Sequence, residues 1–311
     1  MEDHMDMSQP VPEENPAEST ITTSNELVDV IAYFGAISMP GYEILSDMIK
    51  APKAKKALLV LSTFGGDPHA GFRIARALQC QYDEFALLVP RYCKSAGTLV
   101  AIGAARLYLD DMSELGPLDV QVKKHDELVT RNSGLDILSA VDYLQTQTLQ
   151  AFSKYCVHLA SAGLSTKLAS EIATQLAVQT FNPIAAQIDP LKLAEMQRAM
   201  DIAYAYGHRL NEKGQNLLEQ GLNQLTADYP SHSFVIDRRE ARKVFAKVLR
   251  PPAKMRALGR DLQKQCNGAT NGEPQLFFIG SLEHVFEGDD HELALQRGSS
   301  LAQSDGGIQP N

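Results

Sequence analysis

Ser62-Thr63-Phe64-Gly65-Gly66 and Cys93-Lys94-Ser95-Ala96-Gly97-Thr98 are the two stretches whose reading decides the fold. An aliphatic run precedes each: Ala57–Leu61 (Ala-Leu-Leu-Val-Leu) leads into the first and Phe85–Val89 (Phe-Ala-Leu-Leu-Val) into the second. A helical pattern follows each turn. Short unbroken apolar runs fit strands buried on both faces, the habit of a parallel sheet. Strand, tight turn and helix, then the same again, describe consecutive βα units whose turns collect at the carboxyl edge of the sheet. A serine is thereby set at a helix start beside a glycine pair whose amides can face it, a placement suited to acyl chemistry.

Composition narrows the function classes. The 311 residues exceed a usual single domain and can hold one α/β domain plus additions. An apolar fraction of 44% and a charged fraction of 22% are those of an ordinary globular protein. With a net charge of −9 and no stripe of Lys and Arg, a nucleic-acid surface is not expected. Cys80, Cys93, Cys156 and Cys266 show no metal-ligand spacing and read as reduced, mostly structural thiols of a cytoplasmic protein. Neither a membrane span nor the basic start and apolar core of a signal peptide is seen.

Along the chain, residues 1–25 are rich in Glu, Pro, Ser and Thr without periodicity and read as a disordered tail. A main domain is expected over 26–250, with strands at Leu27–Phe34, 57–61, 85–89 and Arg106–Leu109. Helices are expected from Pro40-Gly41 to Ile49, over His69–Gln81 and over Gly97–Ala104. Glu114-Leu-Gly-Pro-Leu-Asp-Val-Gln121 is irregular because of its Gly-Pro, and Lys123–Asn132 reads as a polar loop. Apolar residues then recur at three- and four-residue steps over Leu135–Ala160, after Ser165, and over Pro190–Gly207 and on toward Leu218. These predict a helical insertion at about 135–220 that offers oligomer contacts. An extended segment, Tyr229–Asp237, precedes a helix expected over Arg238–Val248 with Asp237 as its cap. Residues 251–288 form a C-terminal extension with a helix at Met255–Gln265 and a strand-like run at Gln275–Ile279, and 289–311 read as a second disordered tail.

An unactivated serine hydroxyl is a poor nucleophile, so acyl transfer needs a base in reach and donors for the oxyanion. Ala96 and Gly97 let the chain turn tightly at Ser95, and the amino end of the new helix favours negative charge there. Gly65-Gly66 can expose amides without side-chain obstruction. The plainer alternative makes Ser95 only a helix cap and Gly65-Gly66 only a loop.

The order of the motifs resembles the Clp/crotonase superfamily, most closely the SDH family of Clp-fold serine proteinases. The similar elements are the Gly65-Gly66 turn, Ser95-Ala-Gly-Thr98, Leu115-Gly-Pro-Leu-Asp119, and His232-Ser-Phe-Val-Ile-Asp-Arg-Arg-Glu-Ala241. The resemblance covers roughly residues 27–248. It implies an α/β spiral of ββα units, here with an added helical region, a serine peptidase activity and self-assembly. Carried over by position, Ser95 matches the nucleophile, and the amides of Gly66 and Ala96 match the oxyanion donors, with Gly65 shaping the turn. In the Clp protease the base is a histidine whose place here falls at Leu118-Asp119, where no histidine stands; related membrane-protein peptidases use a lysine.

The base therefore stays open. His232 matches a family histidine and has a suitable unperturbed pKa, although a capping or interface role also fits. Lys124, in Lys123-Lys-His-Asp126, lies where a Ser–Lys dyad could draw its base, but such runs are commonly solvated loops. Lys94 adjoins the serine and is expected to point away into a surface or binding role. Asp119 could orient a base, bind a substrate amine or accept amides in the Gly-Pro turn. His69 could line the cleft; His158 reads as a core or interface residue. No metal and no cofactor is expected. A soluble serine peptidase acting on peptides or proteins, homo-oligomeric, is the leading expectation. A crotonase-like acyl-CoA enzyme and an inactive Clp-fold scaffold are the alternatives.

Overall fold

The computed structural model describes residues 27–118, 122–123, 131–132, 134–266, 272–283 and 285–286. The expected tails at 1–25 and 289–311 lie outside these residues.

The aliphatic runs form a parallel sheet. Strands β1 (Val28–Phe34), β2 (Lys56–Ser62), β3 (Glu84–Val89) and β5 (Arg106–Leu109) pair in that order. Almost every residue in them is buried, which is why they read as continuous rather than alternating apolar runs. Helices α1 (Met39–Met48), α2 (Pro68–Gln81) and α3 (Ala96–Gly103) follow β1, β2 and β3 in the chain. Asp67 caps α2 by accepting from the His69 amide at 2.8 Å, with Pro68 in the first turn.

A second, smaller layer crosses the carboxyl edge. After β3 the chain makes β4 (Tyr92–Cys93), and after β5 it makes β6 (Glu114–Leu115), parallel to β4. Single bridges extend this layer on both sides: Thr63 pairs with Cys93, and Leu115 with Ile236. A main strand, a short second strand and a helix is the ββα unit, and its repetition makes the fold Clp-like α/β. Beyond β6, β7 (Val122–Lys123) and β8 (Arg131–Asn132) form an antiparallel pair.

The added helical region is α4 (Gly134–Ser161), α5 (Thr166–Ala185, capped by Ser165) and α6 (Pro190–Gly214). Tyr206 stacks on Phe72 near the start of α2, whereas the Lys213 ammonium donates to the Gln79 and Tyr82 carbonyls at its end. Helix α6 therefore runs parallel to α2, and its residues 190–205 continue about 24 Å past the first turn of α2, on the side of the sheet's carboxyl edge. It stops at Gly214, where a Cβ would lie 2.7 Å from the Ile102 carbonyl oxygen, and the Asn211 side chain takes up the Asn216 and Leu217 amides.

A short helix α7 (Gly221–Asn223) leads into a π-turn at Gln224–Asp228. Asp237 accepts from the Glu240 amide at 2.7 Å, but the helix it caps, α8, spans only Arg238–Ala241 rather than reaching Val248. Asn216 draws the chain out of the helix: its carbonyl and side chain accept from the Ala246 and Lys247 amides. This delivers β9 (Val248–Leu249) to the β5 edge. After α9 (Ala253–Gln265), β10 (Gln275–Leu282) pairs antiparallel with β1, giving the sheet order β10-β1-β2-β3-β5-β9. Asp29, fully buried in β1, accepts from the Lys53 and Ala54 amides, the Tyr82 hydroxyl and the Ser281 hydroxyl, and so ties β10 and α2 to the sheet.

Candidate active site

Ser95 stands between β4 and α3 with φ 51° and ψ −114°. An L-residue other than glycine rarely adopts a positive φ, and such strain persists only where the surroundings impose it. They do so here on both flanks. The Lys94 amide donates to the Thr63 carbonyl at 3.1 Å, fixing the strand side. The Leu99 amide donates to the Ser95 carbonyl at 3.1 Å, starting the helix. The Ser95 hydroxyl does not cap α3, so capping does not account for the residue. A serine on a strained strand-to-helix turn, its side chain presented at the edge of a sheet, has the geometry of a nucleophile elbow.

The two glycine-bearing turns meet. A Cβ at Gly65 (φ 109°) would lie 2.9 Å from the Ser95 Cβ and 3.3 Å from its Oγ, so only glycine allows this approach. Gly66 (φ 149°) is wedged against Ile37, where a Cβ would sit 2.1 Å from the Ile37 carbonyl oxygen. The Ile37–Gly66 bridge is made by the Gly65 carbonyl and the Asp67 amide, which leaves the Gly66 amide out of it. The Gly65 amide, by contrast, donates to Thr63 Oγ1 at 3.0 Å and is a shaping rather than a free donor. Ala96 opens α3, so its amide belongs to the first-turn set that a helix leaves without an intrahelical partner. Gly66 is exposed and Ser95 half-buried, so the turn faces solvent.

Behind the serine the packing is close. A Cβ at Gly97 would lie 2.5 Å from Thr63 Cγ2 and 3.0 Å from Cys93 Sγ. Burial pushes the Cys93 thiol well above its ordinary pKa, which keeps it a neutral packing group beside Ser95. Thr98 Oγ1 lies 2.7 Å from the Gly116 carbonyl oxygen and 3.0 Å from that of Cys93, pinning Leu115-Gly-Pro to the elbow. The spacing of Ser-Ala-Gly-Thr to Leu-Gly-Pro thus reflects a contact as well as a motif order.

Of the base candidates, His232 is half-buried in the Ser231–Phe234 turn, four residues before Ile236, whose backbone pairs with Leu115 at 2.9 and 3.1 Å. Its segment thereby adds a further strand position to the layer that carries β4 and Ser95. Lys124 and Asp119 lie outside the described residues. Lys94 is not the surface group expected from its neighbours. It lies flat over Gly116, and its ammonium is 3.4 Å from Glu114 Oε1, with side-chain exposures of 13% and 18%. His69, a residue at the start of α2 that the sequence allows to line the cleft, has its Nδ1 2.9 Å from the Tyr206 hydroxyl on the inserted α6. The signal for that contact was absent because 137 residues separate the partners. Among the described residues no group of three or more His, Cys, Asp or Glu is placed to hold a metal ion.

Fold and site together define a Clp-like α/β protein with a serine elbow set against a glycine turn. Comparison with known proteins agrees: residues 31–142 match the family of ClpP-like SDH-type serine proteinases, to which the chain is similar. The match spans both glycine turns and Leu115-Gly-Pro-Leu-Asp119 but not His232. Two uncharacterised proteins of Methanocaldococcus jannaschii are similar, one 34% identical over 120 residues, covering 36% of this chain and 41% of that one. The other is 30% identical over 83 residues, covering 27% of this chain and 28% of that one. The matched stretch thus spans less than half the length of either relative. Among solved structures, a membrane-bound stomatin-specific protease gives a TM-score of 0.32 at 15% identity, covering 51% of this chain and 77% of that one. A ClpP of Listeria monocytogenes gives 0.26 at 13% identity, covering 46% and 77%. No helix among the described residues is long and apolar enough to cross a membrane.

Proposed function

We propose that the chain is a serine endopeptidase that hydrolyses peptide bonds through an acyl-enzyme on Ser95. The observation that carries the reading is the strained Ser95 elbow pressed against Gly65-Gly66. In this reading Ser95 Oγ attacks the carbonyl carbon of the scissile bond while a base takes its proton. The amides of Gly66 and Ala96 hold the resulting oxyanion, and Gly65 keeps the turn close enough for them to converge. The C–N bond then breaks as the base returns the proton to the leaving amine, and water attacks the ester by the same route in reverse. His232 is the favoured base, Lys124 the alternative, and Asp119 the orienting carboxylate. No cofactor takes part. The substrate is a peptide or unfolded protein segment, docked by strand addition beside the glycine turn. The working form is a soluble, cytoplasmic homo-oligomer, which sedimentation at several concentrations checks.

Labelling with a fluorophosphonate probe tests the reading. Wild-type protein is expected to take one adduct, lost in Ser95→Ala along with cleavage of a peptide pool. Labelling that survives Ser95→Ala, or an adduct on another residue, overturns it. The base is assigned by substitution: the rate of labelling falls steeply in His232→Ala if the imidazole serves, and in Lys124→Ala if the amine does.

A further inference from the structure

The small layer that carries Ser95 has two unlike faces. Thr63, Cys93, Leu115 and Ile236 point inward and are fully buried, the first two against Gly97 of α3. Strand alternation puts Phe64, Tyr92, Lys94 and Glu114 on the opposite face. The observed contacts agree: Phe64 stacks on Tyr92 (centroids 4.6 Å apart, 27° between planes), and Lys94 pairs with Glu114. Arg91 closes the far end, its guanidinium 4.9 Å from the Tyr92 ring centre. Yet Phe64 keeps 39% of its surface in water, in a turn whose adjacent Thr63 and Gly65 are buried. A phenyl ring at that position adds little to the core, and exposing it costs hydrophobic free energy.

We infer that Phe64, backed by Tyr92, is the specificity-determining ledge of the site and receives a large apolar side chain of the peptide. The inference rests on the peptidase reading above. Phe64 immediately precedes Gly65, whose missing Cβ would be 2.9 Å from the Ser95 Cβ. One Cα step from Gly65 puts the Phe64 backbone roughly 7 Å from Ser95. An extended peptide advances about 3.3 Å per residue, so the ledge meets a side chain within about two residues of the scissile bond. An exposed ring seated on a second ring offers a flat apolar surface with a fixed orientation, suited to aromatic and branched aliphatic side chains. The Lys94–Glu114 pair beside it is internally neutralised.

Peptidyl phosphonates that differ only in the side chain nearest the phosphorus, Phe or Gly, test the inference through their rates of adduct formation on Ser95. The wild-type protein is expected to favour the Phe probe by about tenfold or more, Phe64→Ser to bring the ratio close to one, and Phe64→Tyr to keep it. Thermal unfolding of each variant confirms that the fold is intact. A wild-type ratio near one, or a ratio unchanged in Phe64→Ser, overturns the ledge while leaving the nucleophile in place. No adduct on Ser95 from either probe overturns the peptidase reading itself, and the ledge with it.

Discussion

At the scale of single residues, the site depends on what is missing from three glycines and on what is forced upon one serine. Gly65 and Gly66 allow two backbone approaches that any side chain would block, and Gly97 lets α3 close over Thr63 and Cys93. Gly97→Ala brings a methyl group to 2.5 Å from Thr63 Cγ2, so the elbow must shift. Overpacking of this kind costs about 1–3 kcal/mol, which urea unfolding will show as a lower midpoint at unchanged slope. Ser95 and the glycine turns were legible in the sequence because strand, turn and helix signals coincide there. The strain at Ser95 was not, since φ is set by the hydrogen bonds of Lys94 and Leu99 to partners on either side. The burial of Lys94 was missed for a related reason: Gly116 opens the groove it lies in, and only the β4–β6 pairing brings the two together.

At the scale of elements, local signals succeeded where each element serves its own packing and failed where a distant partner intervenes. The four parallel strands and the helices after them follow from unbroken apolar runs and caps. The helix after Asp237 stops at Ala241 because Asn216, far off in sequence, captures the amides of Ala246 and Lys247. Strand β10 depends in the same way on Asp29. That carboxylate is fully buried and satisfied by two amides and two hydroxyls, one of them on β10 itself. Asp29→Ala strands those donors and is expected to destabilise the fold by at least about 2 kcal/mol. Amide hydrogen exchange should show the loss first along Gln275–Leu282, with β2 and β3 still protected; uniform loss along the sheet would contradict the tie.

At the scale of the whole molecule, α6 joins the added helical region to the sheet domain, fastened along α2 by Tyr206 at one end and Lys213 at the other. Alkali probes the fold. Burial, reinforced by Asp29, raises the Tyr82 hydroxyl far above its ordinary pKa, and burial with Glu240 does the same for Tyr229. Both phenols therefore stay neutral in the folded state when the unfolded chain ionises near pH 10. Their contribution is fully present below about pH 10 and is lost as pH rises beyond it toward the folded values. Tyr82→Phe should flatten the alkaline limb of a stability-versus-pH curve and leave the neutral region with the same slope.

The central claim, a Ser95 nucleophile served by the Gly66 and Ala96 amides, is tested most directly by an experimental structure of the protein after reaction with a fluorophosphonate. The account predicts a phosphorus–oxygen bond at Ser95 Oγ, with the phosphonyl oxygen about 3 Å from both amide nitrogens. A phosphorus atom bonded elsewhere, or a phosphonyl oxygen turned away from the Gly65-Gly66 turn, would contradict it.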